Sequence, residues 1–383
     1  MVAACYPRIF SPPRQSFFLF GARGTGKTTL LRATWPEATY IDLLDEIRYQ
    51  GYLADAGLFY EEMSALPRGS RVIVDEVQRL PQLLNAVHRL IEERRLIFVL
   101  SGSSARKLRR GGVNLLAGRA LHRVLHPFVP AEVGDDFALE RVLTTGVLPI
   151  VWDAPEPQET LRAYGRMYLK EEIQAEALVR NLPGFARFLP VAALAHGQVT
   201  NVASIARDAG VARTTVEGFF SILEDTLLGF HLPAFAARLR VREQRKPKFY
   251  WNDPGLARSL KGSAATLAAE ERGHLFEGWI AQLLRAYDDY RGLYDAIGYW
   301  SPAEARETEV DFVLQRGKER VAIEVKSADR VDRRALKGLK AIAELAAVRR
   351  RILVYTGRTT RRRDGIEIWP LATLLHHLDR GTL

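Results

Sequence analysis

The residues that could do chemistry fall in three stretches of the chain. Residues 21–28 read Gly-Ala-Arg-Gly-Thr-Gly-Lys-Thr, between the apolar run 16–20 and a helix-forming run. This is the G-x-x-x-x-G-K-[ST] spacing in the strand–loop–helix setting it requires. Glycines let successive backbone N–H groups converge on phosphate oxygens, and the following helix adds its positive end. The spacing therefore assigns Gly21, Ala22, Arg23, Gly24, Thr25, Gly26, Lys27, Thr28 and Thr29 to a nucleotide-phosphate cradle. Lys27 would reach the β- and γ-phosphates of ATP, and the Thr28 hydroxyl would ligate Mg2+. Downstream, three β-branched residues at 72–74 run into Asp75 and Glu76. Asp75 at such a strand tip would hold Mg2+ and Glu76 would polarise the attacking water.

The second stretch is near the C-terminus. Asp311 sits in the apolar run 310–314, and 13 residues later Glu324-Val-Lys326 closes another. Alternation along a strand puts Glu324 and Lys326 on one face. Two carboxylates and a lysine at adjoining strand ends suit metal-assisted phosphodiester hydrolysis, with Mg2+ or Mn2+ on Asp311 and Glu324 and Lys326 stabilising the transition-state charge. Glu277, on the edge of an amphipathic helix over 268–287, is a further candidate at this site. Arginines at 349–351, 358 and 361–363 are candidate phosphate contacts.

The third stretch is basic. Residues 200–230 carry a short apolar-faced helix, a break at Gly210 and a longer helix beginning Arg213-Thr-Thr, a helix-turn-helix pattern. Residues 234–251 follow with arginines at period two and Arg245, Lys246 and Lys248 at the expected tip of a hairpin wing. Arg213, Arg240 and Arg242 are the expected phosphate contacts to DNA, although such modules also dock proteins.

Stepping along the rest, the apolar run 96–100 leads into Ser101-Gly-Ser-Ser104. Ser103 is the expected group that orients the lytic water, with a helix N-cap serine as the plain alternative. Arg119 precedes another apolar strand, at the place of an arginine finger offered to a neighbouring subunit, or is an ordinary surface arginine. A Pro-rich segment near 150–158 reads as a hinge, and 159–180 as a helical lid.

The chain has 383 residues with 55 basic against 45 acidic, a net charge of +10. Ten lysines leave 45 arginines. The excess suits a polyanionic partner without specifying one. A single cysteine, Cys5, excludes an intramolecular disulfide and cysteine-based zinc sites. The longest apolar runs fall far short of the roughly 20 residues of a membrane span, so no membrane association and a cytoplasmic location are expected.

The elements GARGTGKT, VDEVQ, SGSS, LAGR and HPF resemble the AAA-type ATPases over about the first 130 residues. That resemblance implies a hydrolysing, oligomeric ATPase. The order from YLKEEI through GQVTNVASIARDAGV, FYWND, GHLFEGWIAQLL and EVDFVL to AIEVKSA is similar to the domain-of-unknown-function family numbered 4143. It implies a restriction-endonuclease-like C-terminal domain of the PD-(D/E)xK type, with Glu277, Asp311, Glu324 and Lys326 filling its motif.

The expected fold class is α/β. A P-loop AAA+ ATPase core is expected over 1–150, with a short lid at 150–180. A winged helix-turn-helix domain over 181–262 and a nuclease-like α/β domain over 263–383 would follow. The expected function is ATP-driven DNA processing by a homo-oligomer acting on single-stranded or branched DNA. The rival readings are an ATP-dependent switch or protein-remodelling ATPase whose nuclease fold is silent.

Overall fold

The computed structural model describes residues 6–104, 116, 118–165, 181–235, 246–262, 266–302, 308–344 and 347–383. Packing divides the chain into two units, one of Met1–Phe128 with Leu148–Ile150 and Asp225–Leu228, the other of the remaining residues.

In the first unit, β1 (Phe17–Phe20), β2 (Thr39–Asp42), β3 (Arg71–Asp75), β4 (Ile97–Gly102) and β5 (Leu121–Val124) form a parallel sheet in the order β2-β3-β4-β1-β5. A parallel sheet is covered on both faces, which is why β1, β3 and β4 read as continuous apolar runs. Phe18, Phe59, Phe98, Val72, Val74 and Leu100 are fully buried in one core. The helix Leu83–Arg94 joins it through Leu83, Leu84, Val87 and Leu90, a stripe at helical spacing. Each such side chain contributes about 1.5–3 kcal/mol by leaving water. Because β1 lies between β4 and β5, the loop after it opens where the strand order reverses, the usual place for a ligand in such sheets.

In the second unit, β6 (Gln198–Val199), β7 (Gly229–Leu232) and β8 (Lys248–Trp251) make an antiparallel sheet in the order β6-β8-β7. Between β6 and β7 lie the helices Val202–Ala209 and Arg213–Asp225. Asn201 caps the first, its side chain accepting the Ser204 N–H at 3.3 Å, and Gly210 ends it at φ 62°.

A six-stranded sheet follows, ordered β13-β14-β12-β11-β10-β9. Its strands are β9 (Ala296–Trp300), β10 (Val310–Arg316), β11 (Glu319–Lys326), β12 (Val348–Tyr355), β13 (Arg361–Arg363) and β14 (Ile366–Pro370). β9, β10 and β11 pair antiparallel, whereas β11, β12 and β14 pair parallel. The helix Ala269–Arg291 carries Glu270 and Glu271 in its first turn and Arg291 in its last, matching the helix dipole, and ends at Gly292 with φ 63°. Among the described residues, no helix is long and apolar enough to cross a membrane.

Two expectations need correction here. Residues 150–158 are not a bare hinge: they include most of the helix Pro149–Trp152 and the start of Pro157–Ala163. Pro157 takes the first helical position, where a missing N–H costs nothing. Lys248 is not at a wing tip but opens β8 and is only 3% exposed, because the whole strand Lys-Phe-Tyr-Trp is interior. Arg350 is partly buried and pairs with Glu367 at 3.0 Å, whereas Arg349 pairs with Glu319 at 2.8 Å and stays 67% exposed. Arg361–Arg363 form an exposed edge strand. Arg240, Arg242 and residues 166–180 of the expected lid lie outside the described residues.

One interior histidine ties three elements of this unit together. His196 Nδ1 accepts the Trp251 N–H at 3.1 Å, and the ring is 1% exposed. Gly278 makes room for it, since a Cβ there would stand 2.0 Å from His196 Nε2. Burial pushes the imidazole down to about 3, so the native state holds it neutral. Its contribution to stability is therefore complete above the unfolded value near 6.5 and is lost as pH falls toward 3. Relative to a His196→Asn variant, wild-type stability should fall by about 2 kcal/mol between pH 6.5 and about 5, at roughly 1.4 kcal/mol per unit. Urea midpoints of the full chain across that range check this, and a constant difference contradicts it.

Candidate active sites

The loop from Gly21 to Gly26 is built on two left-handed glycines, Gly24 at φ 79° and Gly26 at φ 83°. Gly21 is required for another reason, since a Cβ would meet the Leu125 carbonyl at 2.7 Å and Thr25 Oγ1 at 2.8 Å. The Lys27 ammonium is buried and donates to the Gly21 carbonyl at 2.7 Å. Thr28 is the second residue of the helix Lys27–Thr34, and Arg23, Thr28 and Thr29 are exposed.

Strand tips bring the remaining groups to this loop. Thr28 Oγ1 donates to Asp75 Oδ2 at 2.6 Å, and the Tyr40 hydroxyl donates to the same oxygen. Ser101 donates to Asp75 Oδ1. Burial alone would raise the Asp75 carboxyl, but hydrogen bonds from Ser101, Thr28 and Tyr40 with the Lys27 charge hold it below the usual carboxylate range. Burial, with the adjacent Asp75, raises the Tyr40 hydroxyl above its ordinary value.

Glu76 stands at φ 56°, a left-handed conformation that is costly for a residue with a Cβ and is found where function demands it. Gln78 links Glu76 to Ser103, bonding the Glu76 carboxylate and donating to Ser103 Oγ at 3.2 Å. Gly102 lets that bridge form, since a Cβ there would lie 2.3 Å from Gln78 Oε1. Ser103 thus reaches the carboxylates through Gln78, and Ser101 is the serine that touches Asp75. Arg119, 39% exposed, pairs with Glu92 at 2.5 Å. Tyr40 carried no motif signal; Ser101 and Gln78 belonged to the quoted segments without being singled out.

In the second unit, Glu277, Asp311, Glu324 and Lys326 line one cleft of about 720 Å³. Glu309, Arg330, Arg334 and Lys337 share it. β10 and β11 pair with Phe312 opposite Ile323, so Asp311 and Glu324 stand at adjoining strand ends. The β10–β9 register slips by one between Val310 and Val313, a bulge that re-aims the chain at Asp311. The Val325 N–H donates to Asp311 Oδ2 at 2.8 Å, and Lys326 Nζ is 2.7 Å from Glu324 Oε1.

Glu277 is 15% exposed and is met by Lys248 Nζ at 2.9 Å and the Tyr250 hydroxyl at 2.5 Å. Lys248 also pairs with Glu309. Lys248 and Tyr250, two apart on β8, share one strand face, and Glu309 lies just before β10, two residues from Asp311. Such alternation says which residues share a face and not that the face turns inward, so spacing alone did not mark these residues.

Electrostatics separates these groups. Burial would raise Glu277, but the Lys248 charge and the Tyr250 hydrogen bond hold it down. Burial pulls Lys248 down, but Glu277, Tyr250, Glu309 and Asp311 together outweigh it, so the ammonium stays protonated. Asp311 is pushed well above the carboxylate range by burial and by the Glu324 and Glu277 charges. Glu324 is pushed up to about 7 by burial, with Lys326 opposing and Glu277 and Glu309 adding. Buried like charges of this kind mark sites arranged for a ligand.

Replacing Asp311 by Asn keeps an acceptor for Val325 and removes one member of the repelling group. In chelator, Asp311→Asn should be more stable than wild type by about 1 kcal/mol, as is common when strain at a functional site is relieved. Thermal unfolding with EDTA measures it, and a destabilised variant would show that the carboxylate is structural.

Residues 13–134 match the family model described as an AAA domain, 136–267 a domain of unknown function (DUF8612) and 272–374 a domain of unknown function (DUF4143). Residues 13–134 are thus an AAA domain by family match, with a DUF4143 region at the C-terminus. Uncharacterized proteins of Mycobacterium bovis and Mycobacterium tuberculosis are each 29% identical over 349 residues, covering 86% of this chain and 75% of theirs. Among solved structures, the chain is similar to a RuvB variant of Thermotoga maritima, 17% identical with a TM-score of 0.28, covering 57% of this chain and 82% of that one. Protein VC1899 of Vibrio cholerae is 13% identical with a TM-score of 0.23 and 96% coverage of both chains.

Proposed function

We propose that this chain hydrolyses ATP in its N-terminal domain and cuts DNA with a metal-dependent site in its C-terminal half. The observation that carries the second part is Glu324 Oε2, which, among the described residues, is buried without a hydrogen-bond partner beside Asp311 and Lys326. An orphaned carboxylate oxygen in a carboxylate-lined cleft fits a hard divalent cation, Mg2+ or Mn2+. At the phosphate loop the Thr28 hydroxyl and the Asp75 carboxylate, which bond each other, are hard oxygen donors that suit Mg2+ with ATP.

In the ATPase, Lys27 and the loop N–H groups bind the phosphates, Thr28 and Asp75 face the cation, and Glu76 orients water. Gln78 and Ser103 hold Glu76 in place. Arg119 is the residue we assign to a neighbouring subunit's nucleotide, which makes the working form a homo-oligomer. Glu76→Gln and Lys27→Ala should each lower the ATP turnover rate at least about 100-fold, the scale of losing a group that acts in the transition state. Normal turnover by Glu76→Gln in a phosphate-release assay removes the assignment.

In the C-terminal half, Asp311 and Glu324 would hold the cation, which supplies positive charge to the scissile phosphate and acidifies water. Lys326, 42% exposed beside Glu324, offers a fixed charge to the developing phosphorane. Water adds to phosphorus, the bond to the leaving oxygen breaks, and that oxygen takes up a proton. Arg330, Arg334 and Lys337 on the cleft wall suit the strand backbone. We read the helix pair 202–225 with β7 and β8 as a winged helix over 181–262, with exposed Arg213 meeting DNA, between an ATPase core at 1–150 and a nuclease-like domain at 263–383.

Cleavage of single-stranded, duplex and branched DNA with Mg2+ or Mn2+, with and without ATP, tests the reading. Wild type should cut, Glu324→Ala should lose cutting while retaining ATP turnover, and Lys27→Ala shows whether ATP drives the step. Intact ATP turnover without cutting of any substrate favours a switch with a silent nuclease fold.

A further inference from the structure

Glu277, Glu309 and Asp311 offer carboxylate oxygens within 4.8 Å of one another, a geometry able to hold a metal ion. The group at their centre is instead a built-in one. Lys248 Nζ contacts Glu277 at 2.9 Å, pairs with Glu309 and lies 5.3 Å from the Tyr299 ring centre. The residue is 3% exposed. Its backbone is fixed on both sides, opposite Val199 of β6 and Leu232 of β7, so the ammonium is delivered by a sheet and not by a mobile loop. Tyr250, two residues along the same strand, binds the same Glu277 oxygen at 2.5 Å.

Charge decides what this does. Once a bound ion has displaced their protons, Glu277, Glu309, Asp311 and Glu324 set four negative charges against the two of Lys248 and Lys326 in contact with them, which leaves two for one divalent ion, while Arg330, Asp332, Arg334 and Lys337 stand on the cleft wall. Two-metal phosphodiesterase sites place ions about 3.5–4 Å apart, each needing its own carboxylates. Here the carboxylates of a second ion, Glu277 and Glu309, are committed to the lysine. We propose that Lys248 is the permanent cation of this cluster, standing in for a second divalent ion, so that the site takes a single ion at Asp311 and Glu324. The inference rests on the metal-site reading above and adds to it the ion count and the residue that sets it. It also makes Lys248 a positioning residue, since it acts through Glu277 and Glu309.

Mn2+ titration of the full chain, followed by electron paramagnetic resonance, tests this in an Asp75→Asn background so that the ATPase domain contributes no ion. One Mn2+ should bind, with the six-line spectrum of an isolated ion, and Glu324→Ala should lose it. Lys248→Met should bind two with an exchange-coupled spectrum, whereas Lys248→Arg should keep one. Because Lys248→Met leaves buried carboxylates unpaired, Lys248→Met/Glu309→Gln is the companion variant, also expected to gain an ion through Glu277 and Asp311. A coupled pair in the unsubstituted lysine chain overturns the inference and leaves the metal site standing, as does one ion in every folded Lys248→Met variant. No Mn2+ sensitive to Glu324→Ala overturns the metal-site reading and the inference with it.

Discussion

A carboxylate removed from water must be answered by donors, by a cation or by a proton, and each unit of this chain is organised around that demand. Asp75 is answered by donors. Three hydroxyls from different parts of the chain, on Thr28, Tyr40 and Ser101, converge on its two oxygens and keep it ionised in a dry place. Glu277 is answered by the cation Lys248. Asp311 and Glu324 have fewer donors and more like charge around them, and their affinity for protons rises instead. Similar burial gives opposite outcomes because the neighbours differ.

The parallel sheet is what makes the first solution possible. Its order places β3 next to β4 and β4 next to β1, so the residues at their C-terminal ends meet at one edge. Thr28 follows β1 by way of the loop, Asp75 ends β3, and Ser101 lies at the end of β4. Local strain is concentrated in the same place. Glu76 is left-handed, and Gly102 gives up a side chain so that Gln78 can bridge Glu76 and Ser103. Both features cost conformational energy that the buried apolar strands behind them offset.

In the second unit the mixed sheet and the small antiparallel sheet contribute to one chemical group. β10 and β11 carry Asp311 and Glu324, the helix Ala269–Arg291 carries Glu277, and β8 carries the lysine that neutralises it. A strand of the small antiparallel sheet, which follows the helix pair around Gly210, therefore sets the charge at the carboxylate cleft. Breaking one partner of such a buried pair leaves the other uncompensated, a penalty of several kcal/mol. That coupling explains why Lys248 occupies a fully interior position that a solvated wing would not require.

Local pattern alone determined much of this protein. The phosphate loop, the acidic strand tip, the hairpin bearing Asp311, Glu324 and Lys326 and the two helices around Gly210 all depend on neighbours within a few residues, where spacing dictates which groups share a face or a turn. The AAA-type character of residues 13–134 was legible for that reason. Tertiary structure decided the partners. Tyr40 reaches Asp75 across 35 residues, Lys248 reaches Glu277 across 29 and Glu309 across 61. Nothing in a basic run distinguishes a lysine bound for solvent from one bound for a carboxylate core. The difference is made by strand pairing that turns Lys248 inward, and pairing between distant segments is a property of the assembled fold, invisible to any local spacing.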